Sequence, residues 1–319
     1  MSAQERAECA ESAPSFESAP SSESAPSSSR LGRKRAVEYM LEGSSVRTNP
    51  HLARFAAAPY LQRLLHEPRL DSMLSRHSRQ LRKELIEGYA IVEAIERSSS
   101  SCPPSVVIDL CCGKGFASAL LANEFPRARI VMVDNNVKIK PDAVVFPNVH
   151  YETADIMDPA FEATLHRLAT EGLAWIEGDE GIGVLDAADL LGGKRGEGEA
   201  TEGRQAPWVC VVGMHLCGLL ALRAIELFDG CADLRTLVLV PCCIHRTADI
   251  GLKLIARQQG IDPYEAKVCQ LCERCRALEN VEVALVRDQA IRTGGGGAES
   301  EGRADCKNAV IVASRSNGS

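Results

Sequence analysis

Apolar runs of five to seven residues recur between residues 106 and 240, and polar or helix-forming segments separate them. The runs are Val106–Leu110, Arg129–Asp134, Val149–Asp155, Trp208–Met214 and Leu234–Val240. Nearly continuous apolar strands rich in Val and Ile are typical of parallel sheets that are covered on both faces. The alternation with helical segments therefore predicts a doubly wound α/β fold with a parallel sheet.

Two further apolar runs near the C-terminus predict a different connection. Val281–Arg287 and Asn308–Ser314 are predicted strands, and the Gly-rich residues 294–297 lie between them. Because no helix is predicted between these two strands, we expect them to pair as an antiparallel hairpin.

Helices are predicted to connect most of the earlier strands. The predicted spans are residues 116–125, 159–170, 249–259 and 264–278. The crossover between Asp134 and Val149 is short and contains Pro141, which disfavours a helix. We therefore expect no α-helix in that crossover.

The chain divides into three segments by composition. Residues 1–44 are a low-complexity tail in which Glu-Ser-Ala-Pro recurs three times, and we expect disorder because such a sequence buries little apolar surface. Residues 45–101 predict a helical extension, and residues 102–319 form the main domain. Within that domain, about residues 177–206 are rich in Gly and Glu and predict a disordered insertion.

The helical extension combines an apolar face with an excess of positive charge. Its apolar side chains recur at helical spacing, at Leu70, Leu74, Leu81, Leu85, Val92 and Ile95. Residues 30–97 hold 13 basic and eight acidic side chains, although the whole chain has a net charge of −7. We expect the extension to pack on the main domain beside the ligand cleft. Its basic surface is then either an anion-binding face or a solvated structural cover.

The cysteines and the apolar content of the sequence indicate the cellular compartment of the protein. The 13 Cys residues include two adjacent pairs, which suit a reducing compartment better than a disulfide framework. No run of about 18 apolar residues is present, and the N-terminus has no apolar signal core. We therefore expect a cytoplasmic or nuclear protein that does not act at a membrane.

The stretch from Val106 to Ser118 predicts a ligand-binding turn. It contains a buried strand, a turn with Gly113 and Gly115, and the beginning of a helix. Glycine lets the backbone turn sharply and approach a ligand closely. Ligands of open α/β sheets bind at the carboxyl ends of the strands, so this turn fits a dinucleotide or S-adenosyl-L-methionine (SAM).

Acidic residues at three successive strand ends favour SAM. Asp109, Asp134 and Asp155 suit the methionine ammonium, the ribose hydroxyls and the adenine amino group of that cofactor. The loop has the pattern Asp-x-Cys-x-Gly-x-Gly, in which Cys111 takes the place of a glycine. A dinucleotide-binding loop has a third small residue after its two glycines, and Ser118 lies at that position in this chain. NAD is therefore the alternative ligand. Taken singly, each Asp also fits a surface position or a helix cap.

Two later segments bring His and Cys side chains to the same edge of the sheet. Met-His-Leu-Cys-Gly follows the fourth strand, and Pro-Cys-Cys-Ile-His follows the fifth. Because neighbouring parallel strands end together, we expect His215, Cys217, Cys242, Cys243 and His245 to converge at the ligand cleft. They are candidates to line a methyl-transfer site with His215 as general base, to bind zinc, or to form closely packed cleft walls.

A predicted helix over residues 264–278 carries Cys269, Cys272 and Cys275. This spacing is compatible with an iron–sulfur cluster or with ordinary buried thiols. Steps of three residues rotate slowly around a helix, and no fourth ligand is evident. Buried thiols are therefore the preferred interpretation.

Four segments between residues 105 and 315 resemble one branch of the class I SAM-dependent methyltransferases. They are Asp-Leu-Cys-Cys-Gly-Lys-Gly (109–115), Met-His-Leu-Cys-Gly (214–218), Val-Pro-Cys-Cys-Ile-His (240–245) and Lys-Asn-Ala-Val-Ile (307–311). This branch includes the eukaryotic tRNA ribose methyltransferases with a His-Leu-Cys-Gly segment. It also includes the glutathione S-transferase C-terminal-domain-containing protein, which likewise accepts Cys in the Gly loop.

The resemblance implies a Rossmann-like, seven-stranded class I methyltransferase sheet with an N-terminal helical extension, and SAM as cofactor. It also implies methylation of RNA, which would contact the basic extension; neither DNA nor a metal ion is expected. The expected cofactor-binding residues are Asp109, Cys111, Gly113, Gly115, Asp134 and Asp155, and the expected catalytic residues are His215, Cys217, Cys242 and Cys243. The alternatives are a non-catalytic SAM-fold interaction module and an NAD-dependent oxidoreductase.

Overall fold

The structure is a computed structural model that describes most of the chain. It covers Val37, Leu41 and residues 44–74, 78–98, 102–138, 141–177, 206–241, 244–245, 247–293 and 308–315. The predicted disordered insertion falls mainly on residues 178–205, which lie outside the described residues. Cys242 and Cys243 also lie outside them.

Seven strands form one mixed sheet. They are β1 (Val106–Leu110), β2 (Arg129–Asp134), β3 (Val149–Thr153), β4 (Val209–Met214), β5 (Leu234–Val240), β6 (Val281–Arg287) and β7 (Ala309–Arg315), in the order β3-β2-β1-β4-β5-β7-β6. The first five strands pair in parallel, whereas β7 is antiparallel to both β5 and β6. The predicted Rossmann-like sheet with a terminal hairpin is confirmed.

Helices cover both faces of this sheet. They are α1 (Ser44–Thr48), α2 (Pro50–Ala57), α3 (Leu61–His66), α4 (Asp71–Leu74), α5 (Ser78–Ser98), α6 (Phe116–Glu124), α7 (Phe161–Glu177), α8 (Leu220–Gly230), α9 (Ile250–Gln259), α10 (Pro263–Arg276) and α11 (Gln289–Thr293). Within the described part of the crossover between β2 and β3, only a 3-10 turn at Asp142–Val145 is present, as predicted. None of the described helices is both long enough and apolar enough to cross a membrane.

Two apolar cores lie on opposite faces of the sheet, because successive strand residues point to opposite sides. Val107 of β1 belongs to the core that α5 and α6 cover, whereas Val106 and Ile108 belong to the core beneath α7, α8 and α10. The extension helix α5 approaches α6 closely at Gly88, where a Cβ atom would lie 2.6 Å from Leu120 Cδ1. The extension is therefore one of the layers of the fold.

Two residues of the predicted low-complexity tail lie among the described residues. Val37 is fully buried and Leu41 is partly buried, and both pack against the core that α5 covers. Apolar side chains four residues apart lie on one face of a helix and can be buried together. Disorder of the tail, residues 1–44, stays a prediction.

Buried polar groups fasten the extension to the C-terminal hairpin. Asn49 caps α2, and its Nδ2 donates to the Ala290 carbonyl oxygen at 2.8 Å. The His51 side chain is 1% exposed, and its Nε2 lies 2.6 Å from Asp288 Oδ2. Its Nδ1 lies 3.2 Å from Glu93 Oε1 in α5. The imidazole thus lies between carboxylates from two separate elements.

We predict that His51→Ala destabilises the protein by about 2–4 kcal/mol, because it leaves part-buried carboxylates without their partner. The matched control is His66→Ala, which removes an exposed imidazole from α3 and should cost less than about 0.5 kcal/mol. Urea unfolding followed by circular dichroism measures both changes. Equal effects of the two substitutions would show that His51 does not fasten the extension.

Candidate active site

The loop after β1 has a left-handed backbone at three positions. The φ angles are +55° at Cys111, +55° at Gly113 and +79° at Gly115. Glycine adopts this conformation freely, but an L-residue such as Cys111 pays about 1–2 kcal/mol for it. The glycine that SAM enzymes have at this place is thus replaced by a residue that keeps the glycine-like conformation. Such strain is common at functional sites.

The two glycines of this loop have different surroundings. A Cβ atom on Gly115 would overlap Met132 Cε and lie 3.1 Å from Ala143 Cβ, and the φ angle of +79° disfavours other residues at this position. A Cβ atom on Gly113 would meet no atom within 4 Å. The backbone at Gly113 therefore borders open space, where a ligand can approach it closely.

Asp134 holds this loop in place from the end of β2. Its Oδ2 accepts a hydrogen bond from the Gly113 N–H at 2.9 Å, and its Oδ1 accepts one from the Asn136 N–H at 2.9 Å. One carboxylate therefore ties the first cleft loop to the second. The side chain is half-buried at the carboxyl edge of the sheet.

Asp109 lies deeper in the sheet than the other two acids. It is 2% exposed, and the Ser118 hydroxyl donates to its Oδ2 at 2.5 Å. Burial raises the pKa of Asp109 to about 7, although the hydrogen bond from Ser118 opposes the shift. A positively charged ligand group nearby would favour the ionised form of this carboxyl.

Asp155 lies beyond the end of β3, which stops at Thr153 and not at Asp155 as predicted. Its Oδ1 accepts from the Met157 N–H at 2.9 Å and so closes a turn, which is why the strand ends earlier. Asn135 Nδ2 lies 3.4 Å from its Oδ2. The side chain is exposed at the same edge as Asp134.

The loop thiols are not activated. Burial first, and then the carboxylates of Asp134 and Asp109, raise the pKa of the Cys111 thiol to about 12. Burial also raises the pKa of Cys112. Both groups are therefore neutral thiols at physiological pH and poor nucleophiles. Cys217 lies near enough to Cys111 to interact with it electrostatically, so the loops after β1 and β4 approach each other.

His215 follows β4 directly and is the second non-glycine residue of the cleft with a left-handed backbone, at φ +66°. Its Nε2 lies 3.4 Å from Glu87 Oε2. Glu87 is a buried residue of α5, and Lys83 Nζ lies 3.0 Å from the same carboxylate oxygen. Burial and then the Lys83 ammonium lower the pKa of His215 to about 4, so the imidazole is neutral at physiological pH.

A role for Glu87 in the cleft was not predicted from the sequence, although one feature of its position indicates it. It is an acidic residue within a run of residues, 85–92, that is buried without interruption. A carboxylate in such a run needs a polar partner. The sequence does not reveal that this partner comes from the loop after β4.

A buried ion pair fastens the loops after β4 and β5. Lys267 of α10 is 2% exposed, and its Nζ lies 3.0 Å from Asp249 Oδ2 and 3.4 Å from the Gly218 carbonyl oxygen. Asp249 Oδ2 also accepts from the His245 N–H at 2.6 Å. Tyr264, one turn earlier in α10, donates to the Pro241 carbonyl oxygen at 3.0 Å. Both motif loops are therefore held by one helix.

The remaining candidate residues have different positions. Cys242 and Cys243 lie outside the described residues. Cys269 is exposed, whereas Cys272 and Cys275 are buried in α10. The last two therefore agree with the preferred interpretation as ordinary buried thiols. Among the described residues, these three thiols do not come together as a group of metal ligands.

The sequence matches one protein family. Residues 82–249, more than half of the chain, match the family described as a methyltransferase domain. The match begins in α5 and ends at Asp249, so it includes the Gly loop, the three strand-end acids, His215 and Glu87. No curated protein matches the sequence significantly.

Several solved structures are similar to this chain at low sequence identity. The plantazolicin methyltransferase BpumL, in complex with a triazolic desmethylPZN analog and SAH, is 10% identical, covers 90% of this chain and 100% of its own, and has a TM-score of 0.38. The citrinin polyketide synthase CMeT domain is 10% identical, covers 89% and 66%, and has a TM-score of 0.39. The precorrin-6y C5,15-methyltransferase from Geobacter metallireducens is 14% identical, covers 74% and 89%, and has a TM-score of 0.33.

These structural similarities are too weak to support an assignment. The family match includes the residues that build the cleft, and the sheet has the strand order and terminal hairpin that the resemblance implies. The chain belongs to the methyltransferase-domain family.

Proposed function

We propose that this protein transfers the methyl group of SAM to an RNA substrate. Membership of the methyltransferase-domain family supports methyl transfer, with SAM as the cofactor. The observation that carries the proposal is the convergence of two loops at the carboxyl edge of the sheet. Asp134 orders the first loop through Gly113, and Glu87 lies against His215 in the second.

The cleft has the groups that a SAM site requires. The open backbone at Gly113 would lie against the cofactor, and the Asp134 carboxylate would accept hydrogen bonds from its ribose hydroxyls. Asp109 would balance the methionine ammonium, and Asp155 would contact the adenine amino group. SAM supplies a sulfonium methyl group that is electrophilic without covalent activation.

His215 is the residue that we propose as general base. A hydroxyl or amine nucleophile has to lose a proton as its bond to the methyl carbon forms. The Glu87 carboxylate would hold the Nε2–H group of His215, so Nδ1 would be the ring nitrogen that accepts the proton. Glu87 is then a positioning residue, because it acts through His215.

Only some of the cations in the basic extension support the proposal of an RNA substrate. Four of them contact carboxylates: Arg54, Arg69, Lys83 and Arg97. Arg82 is half-buried in α5, and within the described residues its Nε has no hydrogen-bond partner. Lys114 is exposed on the Gly loop. We infer that Arg82 and Lys114 contact phosphate groups of the substrate, since cations beside a cleft attract nucleic-acid backbones.

We predict that Asp134→Asn weakens SAH binding about tenfold to hundredfold, because a carboxylate that orders the loop and accepts from ribose is lost. Titration calorimetry with the full chain measures the affinity. The control is Asp158→Asn, at a nearby exposed position where the side chain accepts from the Ala160 N–H. Unchanged SAH affinity in Asp134→Asn would contradict the assigned cofactor site.

We predict that the protein transfers tritium from methyl-labelled SAM to fractionated RNA, and that His215→Ala slows transfer about 100-fold or more. SAH affinity should stay within about twofold, and His150→Ala, which removes a half-buried imidazole from β3, should leave the rate unchanged. The wild-type rate should be constant near neutral pH and fall as the pH approaches about 4, where His215 takes up a proton.

Three results would contradict parts of this proposal. Label that appears in protein or small-molecule fractions and not in RNA would exclude RNA as the substrate. SAH binding without transfer to any fraction would favour a non-catalytic interaction module. A normal rate for His215→Ala would exclude His215 as the base.

A further inference from the structure

A second group of chemically reactive side chains lies far from the cleft. His166 projects from α7, whereas Cys231 and Asp233 belong to the turn between α8 and β5. Their ligand atoms all lie within 4.8 Å of one another, and no other group of three His, Cys, Asp or Glu residues meets this criterion in the described part of the chain. Because the turn precedes β5, the group lies at the amino edge of the parallel strands, opposite the candidate active site.

The three side chains offer three different kinds of donor. His166 Nδ1 lies 2.7 Å from Asp233 Oδ2, and both side chains are solvent-accessible. The Cys231 residue is 8% exposed, so its sulfur lies beneath them. An imidazole, a carboxylate and a thiolate are all ligands of Zn²⁺, and three protein ligands leave one position for water.

The turn that carries Cys231 is held by its own backbone and by Arg315. The Leu234 N–H donates to the Cys231 carbonyl oxygen at 3.2 Å. The Arg315 guanidinium donates to the carbonyl oxygens of Phe228 and Leu234, on either side of the cysteine. Two of the three candidate ligands therefore belong to one fixed turn.

We propose that His166, Cys231 and Asp233 form a Zn²⁺ site with one open coordination position. Tetrahedral Zn²⁺ requires about 3.3 Å between the nitrogen and oxygen ligands and about 3.6 Å between nitrogen and sulfur. The His166–Asp233 pair therefore opens from 2.7 Å, and the sulfur, which lies within 4.8 Å of both other ligand atoms, adjusts to the metal. Side-chain rotation achieves both changes, because two of the three side chains are exposed. The thiol releases its proton to solvent as the metal binds.

Such an ion would join α7 to the turn that begins β5. These elements lie more than 50 residues apart in the sequence, so the metal would close a long loop of chain that contains the insertion at residues 178–205. We expect the ion to stabilise the fold, since a ligand that binds only the folded state raises its stability. This proposal does not depend on SAM or RNA, because the site and the cleft lie at opposite edges of the sheet.

Cobalt titration of the full, reduced and metal-free chain tests the proposal. Co²⁺ bound to a thiolate gives a near-ultraviolet charge-transfer band, and we expect one Co²⁺ per chain that Zn²⁺ displaces. Cys231→Ser should abolish the band. His166→Ala and Asp233→Asn should each weaken Co²⁺ binding at least about tenfold, since even changes to outer-shell groups of metal sites have that effect.

Matched variants separate this site from other thiols. Cys269→Ser removes an exposed thiol from α10 and should retain the band. His166→Ala changes an exposed side chain, so it tests the site even if Cys231→Ser does not fold. Zn²⁺ should raise the unfolding temperature of the wild-type chain and of Cys269→Ser, but not that of His166→Ala.

The proposal is wrong if the wild-type chain gives no band, or if the band persists in Cys231→Ser. It is also wrong if His166→Ala binds Co²⁺ as tightly as the wild-type chain. Calorimetry with SAH on the same samples should give unchanged cofactor affinity in all variants. Failure of the metal site and failure of the cofactor site are therefore separate outcomes.

Discussion

The parallel alignment of β1 to β5 is the constraint on which the candidate active site depends. It brings the loops after these strands to one edge, although their residues are spread from Asp109 to His245. Hydrogen bonds then fix the loops relative to one another. Asp134 joins the loops after β1 and β2, and the Lys267–Asp249 pair joins the loops after β4 and β5. The antiparallel β7 flanks β5 and begins at this edge of the sheet.

Several residues of the cleft have an unfavourable backbone conformation or a buried charge, and contacts with the surrounding helices offset this cost. Cys111 and His215 have left-handed backbones, and Glu87, Asp249 and Lys267 are charged residues that are buried. Each left-handed L-residue costs about 1–2 kcal/mol, and each buried charge requires partners. Rigid helices on both sheet faces supply those partners, since α5 carries Glu87 and α10 carries Lys267. The geometry of the candidate active site therefore depends on helices that carry no recognisable motif.

Local sequence patterns were sufficient to predict the strands of the sheet. They were insufficient to predict the contacts that the strand ends make with distant residues. The bounds of β1, β2 and β5 agree with the apolar runs, because strands buried on both faces have few polar residues. The bounds of β6 also agree, although its residues are half-buried or exposed. β3 ends at Thr153 because the Asp155 side chain closes a turn, which apolar periodicity does not encode. Glu87 and Lys267 were missed because their partners are distant in sequence. The left-handed conformation of Cys111 could be suspected only because glycine is usual at that place.

The central claim is that the loops after β1, β2 and β4 together hold SAM. Hydrogen–deuterium exchange of the full chain, with and without SAH, tests it most directly, because bound ligand slows exchange of backbone amides that it covers. We expect slower exchange in peptides that contain Cys111–Gly115, Asp134–Lys138 and His215–Gly218, and no change around His166 and Cys231. Absence of protection with SAH, or protection of these loops by NAD instead, would contradict the account.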